Sequence, residues 1–158
     1  MPLVLARIDC RLIHGQVVEA WVPHLKADSL IVANDAMEAN PMFRVVMELA
    51  APVGVKVRFC RLDQLPQVLA VADAAGERSI LLVSSASDAV RAMERGAAFT
   101  TLNIGNLHFE EGKVQISPSV FFAPGDFKAL QWFCSRGVSV DVKGTPFEPG
   151  VFFEAEKQ

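Results

Sequence analysis

The sequence predicts an α/β fold: a single-domain, open, mostly parallel sheet of about six to seven strands, with helices on both faces and an antiparallel edge strand. Three observations carry that expectation. Strand-like apolar runs alternate with helix-like stretches along the whole chain, the pattern of crossover units in a parallel sheet. One run, Ile80-Leu81-Leu82-Val83, is continuously apolar, as a strand buried on both faces is. No linker or repeat interrupts the 158 residues, a length that one core serves, so residues 1–158 are read as one domain.

The elements follow in order. The apolar run from Pro2 to Ala6 opens a buried strand whose core is Leu3 to Ile8. Gly15 begins a helix with Val17, Val18, Trp21 and Leu25 on one face, and Pro23 is expected to kink or end it early. Leu30 to Ala33 is a second strand, stopped by Asn34-Asp35. Asn40-Pro41 reads as a cap followed by proline in the first turn, and Phe43, Val46, Met47 and Ala50 form that helix's buried stripe. Val55 to Cys60 is the third strand, and Asp63 is expected to cap a helix reaching Ala75. Ser79 to Ser84 is the fourth strand. Ser85 or Ser87 caps the next helix, with Val90 and Met93 inward and Gly96 as its stop. Thr100 to Ile104 is the fifth strand, ended by Gly105-Asn106. Val114 to Phe122 holds Pro118 and reads as one or two short strands. The last helix opens at Gly125-Asp126, carries Phe127, Leu130, Phe133 and Cys134 on one face, and stops at Gly137. Val138 to Val142 reads as the final strand, the candidate for the antiparallel edge, and Gly144 to Gln158 as a tail without period.

Composition removes several classes of function. The net charge is −3, and no basic stripe with interleaved aromatics is present, which argues against a nucleic-acid partner. No apolar stretch reaches the length of a membrane span, and Met1-Pro2-Leu3 lacks the basic start of a signal peptide, so a cytoplasmic location is expected. Cys10, Cys60 and Cys134 lie far apart and form no zinc or redox spacing. Cys60 and Cys134 fit core packing. Cys10 stands in the opening motif but has no base placed for it by the sequence. A GxGxxG or GxxxxGK[ST] loop is missing, so nucleotide chemistry has no support.

The chemistry concentrates in Arg7-Ile8-Asp9-Cys10-Arg11-Leu12-Ile13-His14-Gly15-Gln16-Val17. In an open α/β sheet the junction from strand to helix lies on the edge where ligands bind. A histidine there faces the amides of the following helix, which favour an anion. Arg11 offers a planar fork to phosphate oxygens, and Gly15 permits close approach of a ligand. Asp9 is able to accept a proton from one ring nitrogen and leave the other as nucleophile. These groups suit a histidine that carries a phosphoryl group. Spacing alone leaves a solvated histidine and a metal ligand open as well, the latter with Asp9, His14 and His108. Arg7 and Gln16 read as solvated or capping residues, and His24 as an exposed helix-end residue. Asn103-Ile104-Gly105-Asn106-Leu107-His108 ends the fifth strand and Ser84-Ser85 the fourth, so both are placed on the same edge, as site rim or as ordinary turn and cap.

The motif closely resembles the opening of enzyme IIB of the mannose/fructose/sorbose type, from the bacterial phosphoenolpyruvate-dependent sugar phosphotransferase system. The resemblance continues through Ile31-Val32-Ala33-Asn34-Asp35, Leu49 to Val57, Leu102-Asn103-Ile104-Gly105-Asn106 and Gly137-Val138-Ser139-Val140. It implies an open α/β fold with one antiparallel edge strand. It further implies that His14 accepts a phosphoryl group from a histidine of enzyme IIA and passes it to a sugar brought in by membrane IIC and IID subunits. No metal or cofactor is required. A regulatory relative that keeps the histidine without a transporter is the alternative. His14 is then the carrier, with Arg11, Asp9, Gly15 and Gln16 around the phosphate and Asn103, Gly105 and Ser84 on the rim. Cys10 and Asn106 depart from the family's usual residues, and Pro23 interrupts its first helix. The sugar is not specified by the sequence, and the oligomeric state, a homo-oligomer included, is left open.

Overall fold

The computed structural model describes residues 3–155; Met1 and Pro2, at the head of the expected first strand, and residues 156–158 of the expected tail lie outside the described residues. Six strands run parallel: β1 (Leu3–Asp9), β2 (Ser29–Ala33), β3 (Lys56–Cys60), β4 (Ser79–Val83), β5 (Thr101–Asn106) and β8 (Ser139–Val142). A seventh, β9 (Val151–Phe153), pairs antiparallel with β8. The order across the sheet is β3-β2-β4-β1-β5-β8-β9. A separate hairpin, β6 (Val114–Ser117) and β7 (Val120–Phe122), turns at Pro118. The α/β class and the antiparallel edge hold. The edge strand is not the expected one: Val138 to Val142 pairs parallel with β5, and the reversed strand comes from the tail. Three residues, Val151 to Phe153, are too few to show a period.

Side chains of successive strand residues divide between two apolar clusters, as a period of two requires. Ile8, Ile31, Ala33, Leu81, Val83, Leu102, Ile104, Val140 and Val142 meet α3 (Leu65–Ala74), α4 (Ala86–Glu94) and α5 (Pro124–Ser135) on one face. On the other face, Leu30, Val32, Ile80 and Leu82 pack with Val17, Trp21, Val22 and Met47. Those residues belong to a π-helical segment, Gln16–Trp21, that continues into α1 (Val22–Leu25), and to α2 (Pro41–Ala50). Pro23 explains the π turns. It has no N–H, and its ring crowds the carbonyl four residues back, so the helix widens ahead of it and ends at Lys26, φ 53°.

Caps decide where helices start. Asn40 Oδ1 accepts from Phe43 N at 3.2 Å, and Ser85 Oγ from Asp88 N at 3.1 Å. Asp63 is not a cap. Gln64 Oε1 takes the Arg61 N–H at 2.9 Å, and Asp63 pairs with the Arg61 side chain instead. In α4 the residues facing the sheet are Ala86, Ala89 and Ala92, with Val90 and Met93 beside them, because a helix pressed close to a sheet has room only for small side chains on its inner line.

The expected stripe on α2 is wrong in extent. Of Phe43, Val46, Met47 and Ala50, only Met47 is buried; Val46 is 53% exposed and the neighbouring Leu49 81%. The apolar residues of α2 cover more than one face, and a helix over the edge strand β3 and its neighbour β2 has sheet beneath only part of it. Met47→Ala is accordingly expected to cost about 2–4 kcal/mol, and Leu49→Ala less than about 0.5 kcal/mol. Urea unfolding of the two variants measures the difference, and equal losses would place both side chains in the core.

Candidate active site

Past β4, the second face of the sheet changes from apolar to polar. Arg7 on β1 lies opposite Asn103 on β5, which lies opposite Asp141 on β8, so three polar side chains form a row across three strands. Arg7 and Asn103 are fully buried beneath the π-helical segment and the loop after β8. A buried arginine persists only where its donors are met. Arg7 Nε and Nη2 reach Asp9 Oδ2 at 3.0 and 2.9 Å, and Nη2 reaches Gln16 Oε1 at 3.0 Å. Nη1 donates to Asn103 Oδ1 at 2.8 Å and to the Gly144 carbonyl at 3.0 Å. Trp21 covers the guanidinium at 5.6 Å and donates to the same carbonyl at 2.7 Å. Asn103 Nδ2 closes the row on Asp141 at 2.6 Å.

β1 ends at Asp9, where its carboxylate organises the turn that follows. Oδ1 accepts the Arg11 N–H at 2.9 Å, an Asx turn, and the Asp9 carbonyl accepts the Leu12 N–H at 3.0 Å. Leu12 takes φ 59°, a left-handed conformation rare outside glycine, and its burial with Ile13 in the core holds it there. This turn swings His14 back over the strand end. His14 Nε2 lies 2.6 Å from Asp9 Oδ2, and Asn106 Nδ2 donates to the same oxygen at 3.0 Å. Burial alone would raise the Asp9 carboxyl; the His14 hydrogen bond and the Arg7 charge outweigh it and hold the group below its usual value. An ionised Asp9 only accepts, so Nε2 bears the ring proton and donates it to Oδ2, and Nδ1 carries the lone pair. Among the described residues Nδ1 has no hydrogen-bond partner.

Asn106 reaches the site through a bulge. Ile8 faces Ile104, but Asp9 faces Asn106, so Gly105 is the extra residue on β5. The bulge turns Asn106 to the side of Asn103, where it also donates to Gln16 Oε1 at 3.0 Å. A Cβ on Gly105 would stand 2.0 Å from Arg7 Cζ, so the guanidinium lies flat against a residue that must lack one.

The expected site residues are placed as follows. His14, Asp9, Gln16, Asn103 and Gly105 form one cluster with Arg7 and Asn106. Asp9, expected around a phosphate, has no exposed surface; it stands behind the imidazole and all its acceptor capacity goes to the protein. Arg7, read as solvated or capping, is fully buried, as Asp9 is. Arg11 is exposed and enters through its backbone alone, its guanidinium meeting no described residue. Gly15 is exposed at the start of the helical segment with open space beside it. The His14 side chain is 8% exposed, so it is recessed rather than standing free. Ser84 is tied to Asn34 at 2.9 Å and Asp88 at 3.4 Å and makes no bond to the cluster.

His108 pairs with Glu110 at 2.8 Å, away from Asp9, and among the described residues no three His, Cys, Asp or Glu side chains gather as a metal site. His24 is exposed and stacks edge-on with Phe147. Burial pushes the Cys60 thiol up to about 11, with Asp63 and Asp35 adding to it, which makes Cys60 an inert core residue. Cys10 is half-buried, and its N–H donates to the Asn106 carbonyl at 3.0 Å.

From the sequence, Arg7 reads as solvated or capping, and Asn106 stands in the turn at the site edge without a role toward His14. One signal for Arg7 was available: a cation in the middle of Leu3-Val4-Leu5-Ala6-Arg7-Ile8, a run otherwise apolar, has to be buried with a partner. For Asn106 the turn gave the edge of the sheet but not the inward direction, which depends on the bulge.

The fold and cluster define a class: an open parallel α/β domain with a buried Arg–Asp pair orienting a histidine at the carboxyl edge of the sheet. Residues 3–150 match the model of the family described as PTS system sorbose subfamily IIB component, and the chain belongs to that family as a IIB component of the phosphotransferase system. The N-acetylgalactosamine-specific phosphotransferase enzyme IIB component 2 of Escherichia coli (strain K12) is 37% identical over 153 residues, covering 96% of each chain. The mannose-specific EIIAB component of the same organism is 32% identical over 149 residues, which cover 94% of this chain and 46% of that longer protein. The crystal structure of the IIBSor domain of the sorbose permease from Klebsiella pneumoniae matches with a TM-score of 0.88 and 32% identity, over 96% of this chain and 93% of that one. Among the described residues no helix is long and apolar enough to cross a membrane.

Proposed function

We propose that the chain, residues 1–158 acting as one cytoplasmic domain, carries a phosphoryl group on His14. The group comes from the phosphohistidine of an enzyme IIA and goes to a sugar presented by membrane IIC and IID subunits. The observation that supports this most is the 2.6 Å contact of Nε2 with a buried, ionised Asp9, which leaves Nδ1 as the nucleophile. In the first step the Nδ1 lone pair attacks phosphorus. The donor's P–N bond breaks, and its electron pair returns to the donor imidazole. In the second, a sugar hydroxyl attacks phosphorus, the P–Nδ1 bond breaks with its electron pair returning to Nδ1, and the hydroxyl proton is released to water. Nε2 stays hydrogen-bonded to Asp9 throughout, so the ring keeps its orientation in both steps.

The phosphoryl oxygens belong on the solvent side of the ring. There Arg11 has an unengaged guanidinium, and the amides of Gly15 and Gln16 begin a helical segment. The Gln16 side-chain oxygen is already taken by Arg7 and Asn106, so its backbone is the part that faces phosphate. Transfer of this kind needs charge stabilisation and alignment rather than covalent help from other groups.

Incubation with phosphoenolpyruvate and the upstream phosphotransferases, followed by mass mapping, tests the reading. The expected label is acid-labile, sits on His14, survives in Cys10→Ser and is lost in His14→Ala. A label that persists in His14→Ala, or one that Cys10→Ser removes, contradicts it.

A further inference from the structure

Resting on that reading, we infer that Arg7, which is shielded from solvent and from any substrate, is a positioning residue that keeps the His14 imidazole uncharged and its Nδ1 available at neutral pH. A carboxylate held 2.6 Å from an imidazole in a buried place would, if alone, draw a second proton onto the ring. A protonated ring has no lone pair and cannot attack phosphorus. In this chain the oxygen that receives Nε2 is the same Oδ2 that receives Nε and Nη2 of Arg7. The carboxylate is therefore neutralised before the imidazole meets it. It retains enough basicity to fix the tautomer and too little unbalanced charge to protonate the ring.

The surroundings of this pair are consistent with that division of labour. On β1 the charges are Arg7 and Asp9; β5 contributes only the neutral Asn103 and Asn106. From β8 and the loop after it come Asp141 and Glu148, which favour the charge on Arg7, and Lys143, whose ammonium lies over the Trp21 ring at 5.9 Å. The helical segment above brings neutral Gln16 and Trp21, with Glu19 exposed; the turn brings Arg11, exposed, and the Cys10 thiol. Arg7 is thus the one buried cation bonded to Asp9 among the described residues. Five acceptors on four segments fix its guanidinium: Asp9, Gln16, Asn103, and the Lys143 and Gly144 carbonyls. A lysine has a point charge and no such fork.

The test is the titration of the His14 ring by ¹⁵N NMR in the unphosphorylated chain, beside the pH profile of phosphoryl acceptance. In Arg7→Gln the titration midpoint is expected to rise by about one unit or more, and the loss of transfer rate to be about tenfold greater at pH 6.5 than at pH 8.5. Arg7→Lys is expected to hold the midpoint near that of the unaltered chain while transferring slowly at every pH. A glutamine variant whose midpoint and profile shape match the unaltered chain overturns the inference. Should Arg7→Gln fail to fold, the unaltered chain still decides: the buried Arg7 Nε–H resonance is expected to move with the His14 midpoint, and a resonance that stays fixed overturns the coupling. Because the NMR titration needs no phosphoryl donor, it separates failure of this inference from failure of His14 as carrier.

Discussion

Asp9→Asn is expected to lose about 3–5 kcal/mol of folding stability and nearly all phosphoryl acceptance. The loss of stability follows from what remains. Arg7 is fully buried, and its two contacts with Oδ2 are its only carboxylate bonds among the described residues. Removing one member of a buried pair leaves an uncompensated charge, which costs about 3–5 kcal/mol. An asparagine amide aimed at the same place would set donor against donor. The loss of function follows from the tautomer. Without an anion on Nε2 the ring is free to carry its proton on Nδ1, and an asparagine at the corresponding place in a catalytic triad costs about four orders of magnitude for that reason.

The same residue sets part of the acid limit of the fold. Asp9 is held below its unfolded value, so its contribution is present above the ordinary carboxyl range near pH 4 and disappears as pH falls through the lower, folded value. In that window the unfolded chain binds more protons than the folded one, so stability falls with pH. Thermal melts between pH 2 and 7 measure it. The asparagine variant should show a shallower decline, and a parallel decline would remove Asp9 from the account.

Gly105→Ala is expected to produce the second largest effect from a single methyl group. The added carbon would stand 2.0 Å from Cζ and Nη2 of Arg7 and 2.6 Å from Nε. Overpacking a core typically costs about 1–3 kcal/mol. Here the upper end is expected, because the displaced group is a charged fork with several buried acceptors rather than a side chain that shifts at little cost. Transfer should fall at least about a hundredfold, since Arg7, Asp9 and His14 move as a unit. Gly15→Ala is the matched control for fold: its Cβ meets nothing within 4 Å and its backbone is already helical. Melts that rank the two alanines equally would mean that Arg7 does not lie against Gly105.

The contrast between those two glycines shows where the sequence is informative. Gly15 sits in a motif whose order places it beside His14, so its position could be read directly. Gly105 matters because a bulge, found only when β5 pairs with β1, lays it under a side chain 98 positions earlier in the chain. Strands, helix starts at Asn40 and Ser85, and the parallel class are local or periodic properties, and these were legible. The identity of the edge strand was not, because β9 is short and its pairing is long-range. The exposed side of α2 was not legible either, since periodicity says which residues share a face and not how much of that face meets the sheet. Within the site, Asp9 was legible as the partner that fixes the His14 tautomer, and the structure pairs the two at 2.6 Å; its further place around the phosphate was the wrong part, since it has no exposed surface. A carboxylate five residues before a histidine looks available to a ligand until the strand end buries it under Arg7, Asn106 and the Arg11 amide.

The central claim is that Asp9 holds one ring nitrogen and leaves the other for phosphorus. The most direct measurement is the ¹⁵N spectrum of the His14 imidazole in the chain phosphorylated through its donor. The account predicts phosphorus coupled to Nδ1, with Nε2 still protonated and hydrogen-bonded. Phosphorus on Nε2, or a His14 ring unchanged while the chain carries the label elsewhere, would contradict it.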